Sequence, residues 1–239
     1  MRIVLIGLLV FVFTGLSFTT LAQSDEIIVT GSRLENYDIY AEEDGVPPHI
    51  TIKKRASFLV LSVRVEGDTR QTVKREKEIR ASLHNILQAA KRNPSISLGH
   101  GSEFVEDFTK QTIAKDLRDG RRAETSHMVL LIKTPVDANE ITYSQALAII
   151  DRFIASVNLQ GRTEIIKQSQ PVLSIVKPER FRGELLGFIA NDARNTAAIF
   201  GEDYAVRATN MAERIRWIQS GKLTLTLYIP YSLEVLPKP

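Results

Sequence analysis

The chain has 239 residues, of which 44% are hydrophobic and none is cysteine, so disulfides, thiolate metal ligands and a cysteine nucleophile are excluded. Lysine and arginine total 31 against 28 acidic residues, and the two signs alternate along the sequence, which argues against a nucleic-acid-binding patch. A chain of this length is sufficient for one well-packed hydrophobic core.

The first 22 residues have the organisation of an export signal. Arg2 supplies a positive charge, residues 3–16 form an almost wholly apolar run, and Thr20-Leu21-Ala22 places small residues at a cleavage position. The alternative is a membrane anchor, but the run is shorter than the ~20 apolar residues of a spanning helix. Residues 1–22 are therefore predicted to be a cleaved signal peptide. This places the mature protein in a bacterial periplasm, with outer-membrane association as an open alternative.

Residues 23–56 are predicted to be an extended N-terminal segment followed by a proline-containing linker. The β-branched run Glu26-Ile27-Ile28-Val29-Thr30 has two interpretations, either the first strand of the fold or a tether offered to a partner. The acidic run 42–44 and the Pro47-Pro48 pair indicate a solvated connection, because consecutive prolines favour extended backbone and lack hydrogen-bond donors. The folded domain is predicted to span 57–239.

The domain begins with a strand pattern followed by a helix pattern. Alternation with a period of two through 57–67 predicts a strand with one buried face. Asp68 or Thr69 can cap the helix that follows. Apolar residues recur in that helix at spacings of three and four from Ile79 to Ala90, which is the pattern of a helix packed on a core.

The middle of the chain combines short strands with the clearest helix pattern. Short strands are predicted from Ser95 to Lys115, around the glycine turn at 99–101, and the apolar run 128–132 predicts a central strand covered on both faces. An uninterrupted apolar stripe predicts a helix over 143–157. Two further short strands are predicted at 162–167 and 171–176.

A third helix is predicted between Pro178, which suits a first helical position, and Gly201, which is a typical C-terminal cap. Its interior is rich in small residues. Gly183 and Gly187 each cost about 1 kcal/mol of helix propensity relative to alanine, so we expect close packing on a sheet as the compensation.

The chain closes with a predicted β-hairpin whose turn lies at Ser220-Gly221. Pro230 interrupts the second strand, which predicts an edge position or a bulge. Hairpin connections outnumber helical crossovers in the whole pattern. The predicted fold is therefore α+β, with largely antiparallel sheet packed by three main helices.

Candidate chemistry in the sequence is sparse. The four histidines show no metal-binding spacing, so no metal or other cofactor is predicted. His100 beside Ser102 is the most enzyme-like pair, but it lacks a nucleophile elbow and an orienting acid, and a glycine hairpin turn is the simpler interpretation. Asp192 lies in the small-residue helix, where a pair with Arg182 or Arg194 is expected rather than acid–base catalysis.

Three aromatic residues of the terminal hairpin are candidates for partner binding: Trp217, Tyr228 and Tyr231. Aromatic side chains are enriched at protein interfaces, although the same residues can belong to a core and its rim. The sequence leaves these two interpretations even.

The domain resembles the SIMPL-domain family of exported bacterial proteins. The resemblance is carried by "IIVTG" from Ile27, "SFLVLSVRVEG" from Ser57, "IANDARNTAAIFG" from Ile189 and the closing Ile229-Pro230-Tyr231, and it covers most of 26–236. It departs from the family where residues 31–57 intervene after the first short strand. The resemblance implies an α+β envelope protein that associates with copies of itself and has no established catalytic site.

The segment "DEIIVTGSR", which begins at Asp25, also resembles the TonB box of outer-membrane receptors. Such a box binds by adding its extended backbone as a strand to the partner's sheet. The remaining chain is too short and too helical for a receptor barrel. We therefore predict a non-enzymatic envelope protein that acts through self-association or protein binding. The alternative is an accessory protein that contacts a TonB-type transducer through Glu26–Thr30.

Overall fold

The computed structural model describes residues 26–29, 48–101, 105–115, 117–120, 122–137 and 141–238. Its strands are β1 (Glu26–Val29), β2 (Ile52–Arg55), β3 (Phe58–Gly67), β4 (Ser97–His100), β5 (Glu106–Asp107), β6 (Arg118–Asp119), β7 (Ser126–Pro135), β8 (Thr163–Lys167), β9 (Val172–Val176), β10 (Tyr204–Thr209), β11 (Arg216–Gln219), β12 (Thr224–Tyr228) and β13 (Ser232–Pro237). Its helices are α1 (Thr72–Lys91), α2 (Lys110–Ala114), α3 (Tyr143–Ser156) and α4 (Arg182–Phe200), the last preceded by a 3-10 turn at Pro178–Phe181.

The strands form three antiparallel sheets. The main sheet has the order β1-β9-β3-β7-β4-β5, with β8 also paired to β3 and β6 also paired to β7. A second sheet has the order β11-β12-β2, and β10 pairs with β13 in a two-stranded sheet. The fold is therefore α+β with antiparallel sheets and three long helices, as the sequence predicts. Within the described ranges, none of the helices has the length and apolar character needed to cross a membrane.

The main core lies on one face of the large sheet. Alternate residues of β3, including Leu59, Leu61 and Val63, point to that face and are almost completely buried. They pack in one cluster with apolar residues of α1 and α3, such as Leu83 and Ile150. Each fully buried aliphatic side chain contributes about 1.5–3 kcal/mol, so this cluster supplies most of the driving force for folding.

The opposite face of the large sheet is covered less completely. A small cluster of Val60, Val105 and Leu131 is buried there, whereas Val129 in the central strand β7 is exposed. The prediction that 128–132 is a central strand is confirmed, because β7 lies between β3 and β4. The expectation that both faces are covered is wrong at Val129.

Helix α1 begins differently from the prediction. Its N-cap is Gln71, which makes no side-chain capping bond, so neither Asp68 nor Thr69 is the cap. The Thr69 hydroxyl donates a hydrogen bond to Glu78 instead. The carboxylate of Asp68 pairs with Arg162 at 2.8 Å. Asp68 therefore binds a residue 94 positions away, and Thr69 binds one nine positions away in α1. The spacing used to predict a helix cap encodes neither contact.

Two short elements differ from the sequence-based predictions. Helix α2 follows β5 in the stretch to Lys115 that is predicted as short strands, and a capping box between Thr109 and Thr112 forms its N-terminus. Strand β2 lies within the segment predicted as a linker and pairs with β12 over its full length. Five helical residues and four strand residues are too few for periodicity to reveal.

The role of Pro230 differs from the predicted edge strand. Strand β12 ends at Tyr228 in the middle of its sheet, between β11 and β2. After Pro230 the chain leaves this sheet and pairs as β13 with β10. The proline therefore marks a change of sheet, because it cannot donate the backbone bond that would continue the ladder.

Candidate functional site

The C-terminal part of α4 forms a unit with β10 and β13 that differs from the rest of the fold. We call residues 190–210 and 230–238 the exposed unit, and the remaining described residues the body. The structure describes every residue of the exposed unit, and none of its side chains is buried. The last buried side chain of α4 is that of Ile189. The exposed unit therefore consists of regular secondary structure that has no core of its own.

Local sequence explains the path of the exposed unit. Helix α4 ends at Gly201, whose φ of +89° is a conformation that glycine adopts without strain. The chain then reverses into β10, which α4 packs against through half-buried small residues such as Ala193 and Ala197. Strand β10 pairs in register with β13 from Tyr204 opposite Pro237 to Thr209 opposite Ser232.

The end of the exposed unit carries apolar side chains in solvent. Ile199 is 81% exposed and Phe200 is 51% exposed, and Tyr204 and Leu236 are also exposed. The rings of Phe200 and Tyr204 lie 6.2 Å apart at an angle of 57°. Clusters of large exposed apolar residues mark interaction sites on soluble proteins more often than single ones do.

The glycines of α4 contradict the packing expected from the sequence. Gly183 and Gly187 are exposed, and no described atom lies within 4 Å of a Cβ built at either position. These glycines therefore do not bring the helix close to a sheet. Their propensity cost of about 1 kcal/mol each is not offset by a contact in the described part of the chain.

A partly buried hydrogen bond within the exposed unit joins α4 to the residue that precedes β13. The Tyr231 hydroxyl donates to the Asp192 carboxylate at 3.0 Å, so Asp192 pairs with neither Arg182 nor Arg194 as expected. Burial, together with this hydrogen bond and the charge of Asp192, raises the pKa of Tyr231 to about 12. The phenol is therefore a neutral donor at physiological pH, and the bond is lost only as pH rises from about 10 towards 12.

In the body, a cluster of charged side chains lies on the large sheet, and its members bind one another. Glu66 is buried on the open face of the large sheet, where Arg64 and Arg122 lie within 3.0 Å and 2.9 Å of its oxygens. His127 lies opposite Glu66 on β7, and burial, followed by the charge of Arg64, lowers its pKa despite that carboxylate. Arginine side chains therefore bind both oxygens of this buried carboxylate.

The side chain of His100 faces a carboxylate on the adjacent strand. Its Nε2 atom lies 3.2 Å from the exposed carboxylate of Glu106 on the neighbouring strand. Burial is the main cause that lowers the His100 pKa, aided by Lys115 and opposed by Glu106. Ser102 lies outside the described residues. In the described part of the chain, no group of three or more His, Asp or Glu side chains could hold a metal ion.

A groove of about 360 Å³ lies between the C-terminal end of α1 and the start of α2. Its lining combines apolar Leu87 and Phe108 with Lys91 and Lys110. Among the described residues that line this groove, none is a carboxylate or a histidine. This described lining offers two cations beside an apolar floor and contains no acid–base pair.

The partner-binding residues predicted from the sequence occupy three different environments. Glu26, Ile27, Ile28 and Val29 form β1, which pairs antiparallel with β9 at the edge of the main sheet, and Thr30 lies outside the described residues. Trp217 and Tyr228 lie on paired strands of the second sheet. Tyr228 is buried, so its ring is not available to a partner, whereas Trp217 is half-buried. Of the three aromatic residues, Tyr231 alone belongs to the exposed unit.

The exposed apolar residues of α4 and β13 were missed by the sequence analysis. A helical stripe of Ile189, Ala193 and Ala197 predicts burial, and the sequence does not show that the helix extends beyond the body. The signal that was present is the change from large to small apolar residues after Ile189. That change indicates a helix whose second half has little to pack against.

No protein-family description, no curated protein and no solved structure matches this chain.

Proposed function

We propose that this chain is a SIMPL-like exported protein of the bacterial periplasm or envelope that acts through association with protein chains, its own copies included. It has no catalytic activity of its own in this proposal. The observation that carries the proposal is the exposed unit, which is regular in structure and has no buried side chain.

The energetics of the exposed unit support this role. Ordering each residue costs about 1–2 kcal/mol of backbone entropy, and burial of apolar surface is the main term that offsets it. A two-stranded sheet in water is marginally stable by itself. Side chains such as Val206 and Val235 are half-buried against α4, and further burial against a partner would stabilise the unit.

The TonB-transducer alternative requires the segment from Glu26 to Thr30 to be free for strand addition. Strand β1 instead forms a backbone ladder with β9, from Glu26 opposite Val176 to Val29 opposite Leu173. No observation on the described residues favours that alternative, and association through the exposed unit is the proposal we develop.

Light scattering on the purified full-length mature chain, residues 23–239 after removal of the predicted signal peptide, tests the proposal across the micromolar range. We expect a mass larger than that of one chain, and we expect it to increase with concentration. The double variant Ile199→Ser/Phe200→Ser should shift association to higher concentration, because it removes apolar surface from the exposed unit.

The matched control is Val73→Ser, which removes an 84% exposed valine from α1 in the body. This control should associate like the unmodified chain. A strictly monomeric wild-type chain over the whole range would refute the proposal.

A further inference from the structure

We propose that a second copy of this chain docks on the outer edge of β13, so that two exposed units form one antiparallel sheet in the order β10-β13-β13-β10. The inference rests on the proposed function, and it adds the partner and the backbone edge that binds it.

The register of the two-stranded sheet determines which backbone groups are free. The Lys238 amide donates to the Asp203 carbonyl at 2.8 Å, which makes this a hydrogen-bonded pair of the ladder. Hydrogen-bonded and non-hydrogen-bonded pairs alternate along an antiparallel ladder. The N–H and C=O groups of Leu233 and Val235 therefore point away from β10, and no described group bonds to them.

Helix α4 packs mainly against β10 rather than β13. The chain reverses at Gly201 directly from α4 into β10, which brings the helix to this strand. Strand β13 pairs with β10 on one side and with no described strand on the other. An unprotected strand edge is a template for pairing with another chain.

The chemistry of this edge fits a second copy better than a charged partner. Glu234 is the single charged residue of β13, and Arg207 on β10 binds it at 3.1 Å and 2.8 Å. The solvent face of the pair is thus neutral and carries both signs side by side. In the order β10-β13-β13-β10 each Arg207 lies on an outer strand and neutralises Glu234 of its own chain, so no unbalanced charge faces the second copy. Antiparallel strand pairing is compatible with two-fold symmetry.

The two-fold axis gives a specific geometric expectation. Residues of β13 whose backbone N–H and C=O groups point away from β10 must lie opposite the equivalent residues of the second β13. In such an antiparallel register, the residue at the two-fold axis lies opposite the same residue of the other copy. Its two Cα atoms would lie about 4.5–5.5 Å apart, which is within disulfide range. The two β10 strands would lie three strand spacings apart, about 14 Å, which is too far for a disulfide.

Single-cysteine variants of the full-length chain test this geometry, because the natural sequence contains no cysteine that could interfere. The series is Ser232→Cys, Leu233→Cys, Glu234→Cys, Val235→Cys and Leu236→Cys, with Ala205→Cys on β10 as the matched control. Under mild oxidation we expect a maximum of inter-chain disulfide at one position of the β13 series. Ala205→Cys should remain unlinked.

Proline substitution supplies a second, independent measurement. Val235→Pro removes an N–H that points outward, so the ladder within one chain should survive while association is lost at least tenfold. Glu234→Pro removes an N–H that bonds to Arg207 within the same chain, so it should also disrupt the exposed unit itself. Light scattering and amide exchange distinguish these two outcomes.

These experiments distinguish failure of the β13 inference from failure of the proposed function. If the chain associates but the β13 cysteines do not link, or Ala205→Cys links as readily, the inference is wrong and the proposed function stands. Disulfides from β13 to a different protein, with none between copies, would also overturn the inference. If the unmodified chain is a monomer throughout, the proposed function fails as well.

Discussion

The body and the exposed unit contain the same kinds of element, yet they are stabilised in different ways. In the body, α1 and α3 cover one face of an antiparallel sheet, and residues such as Leu61, Leu83 and Ile150 are almost completely buried. In the exposed unit, α4 lies against a two-stranded sheet and no side chain is buried. The comparison indicates that the body carries the folding stability. The surface of the exposed unit remains available for contact.

The largest difference between the two regions should appear in the free energy of unfolding when a large side chain is removed from each. Leu83→Ala empties a fully buried position between α1 and the sheet and should lower the free energy of unfolding by about 2–5 kcal/mol. Ile199→Ala in the exposed unit should change it by no more than about 0.5 kcal/mol in the monomer. Urea unfolding at low protein concentration measures both values. Equal effects would show that the exposed unit has a core of its own.

The exposed unit should respond to the loss of one hydroxyl. Tyr231→Phe removes the hydrogen bond to Asp192 within this unit and should lower the free energy of unfolding by about 1 kcal/mol. Amide exchange should rise in the second half of α4 and remain unchanged in α1. Tyr143→Phe is the matched control, because the Tyr143 hydroxyl makes no hydrogen bond within the described residues. An identical response of both variants would contradict a stabilising role of this hydrogen bond in the exposed unit.

The helix that connects the regions should gain stability from an added methyl group. Gly187→Ala places a Cβ in open space on an exposed helical face, so it should raise the free energy of unfolding by about 0.5–1 kcal/mol. Thermal unfolding of the monomer measures the gain. Gly161→Ala is the contrasting control, because its φ of +58° and the nearby Glu78 carboxylate make a side chain unfavourable there. A loss at Gly187 would show that the face is covered.

The body should also show a small pH dependence of stability on the acidic side of neutrality. Burial is the main cause that lowers the pKa of His100 and His127 below 6.5 in the folded state. The unfolded chain then binds more protons near that pH, so stability should decrease as pH falls below 6.5. The variant His100→Asn/His127→Asn should reduce this decrease in urea unfolding, and His84→Asn on the exposed face of α1 should not. If the free energy of unfolding of the double variant depends on pH as that of the unmodified chain does, the assignment of this effect to His100 and His127 is wrong.

Much of the body follows from periodicity in the sequence. The period-two pattern of Phe58–Gly67 and the apolar stripe of Tyr143–Ser156 each identify an element, because one face of each is buried in a common core. Strand β2 and helix α2 were not predicted, because they are short and depend on partners distant in the chain.

The exposed unit shows the opposite case. The pattern of α4 predicts its helix and its end at Gly201. Spacing alone does not say whether a sheet lies opposite Gly187 or Ile199, because burial is a property of the assembled fold. The pair between Tyr231 and Asp192 likewise joins residues 39 positions apart, and no local signal encodes it.

Amide exchange across the exposed unit, followed as a function of protein concentration, is the decisive measurement for association through β13. We expect the amides of Leu233 and Val235 to exchange freely in dilute protein and to become protected as concentration rises. The amides of β3 should be protected throughout. Exchange at these two amides that is the same at every concentration, in a sample whose mass remains that of one chain, would contradict this association.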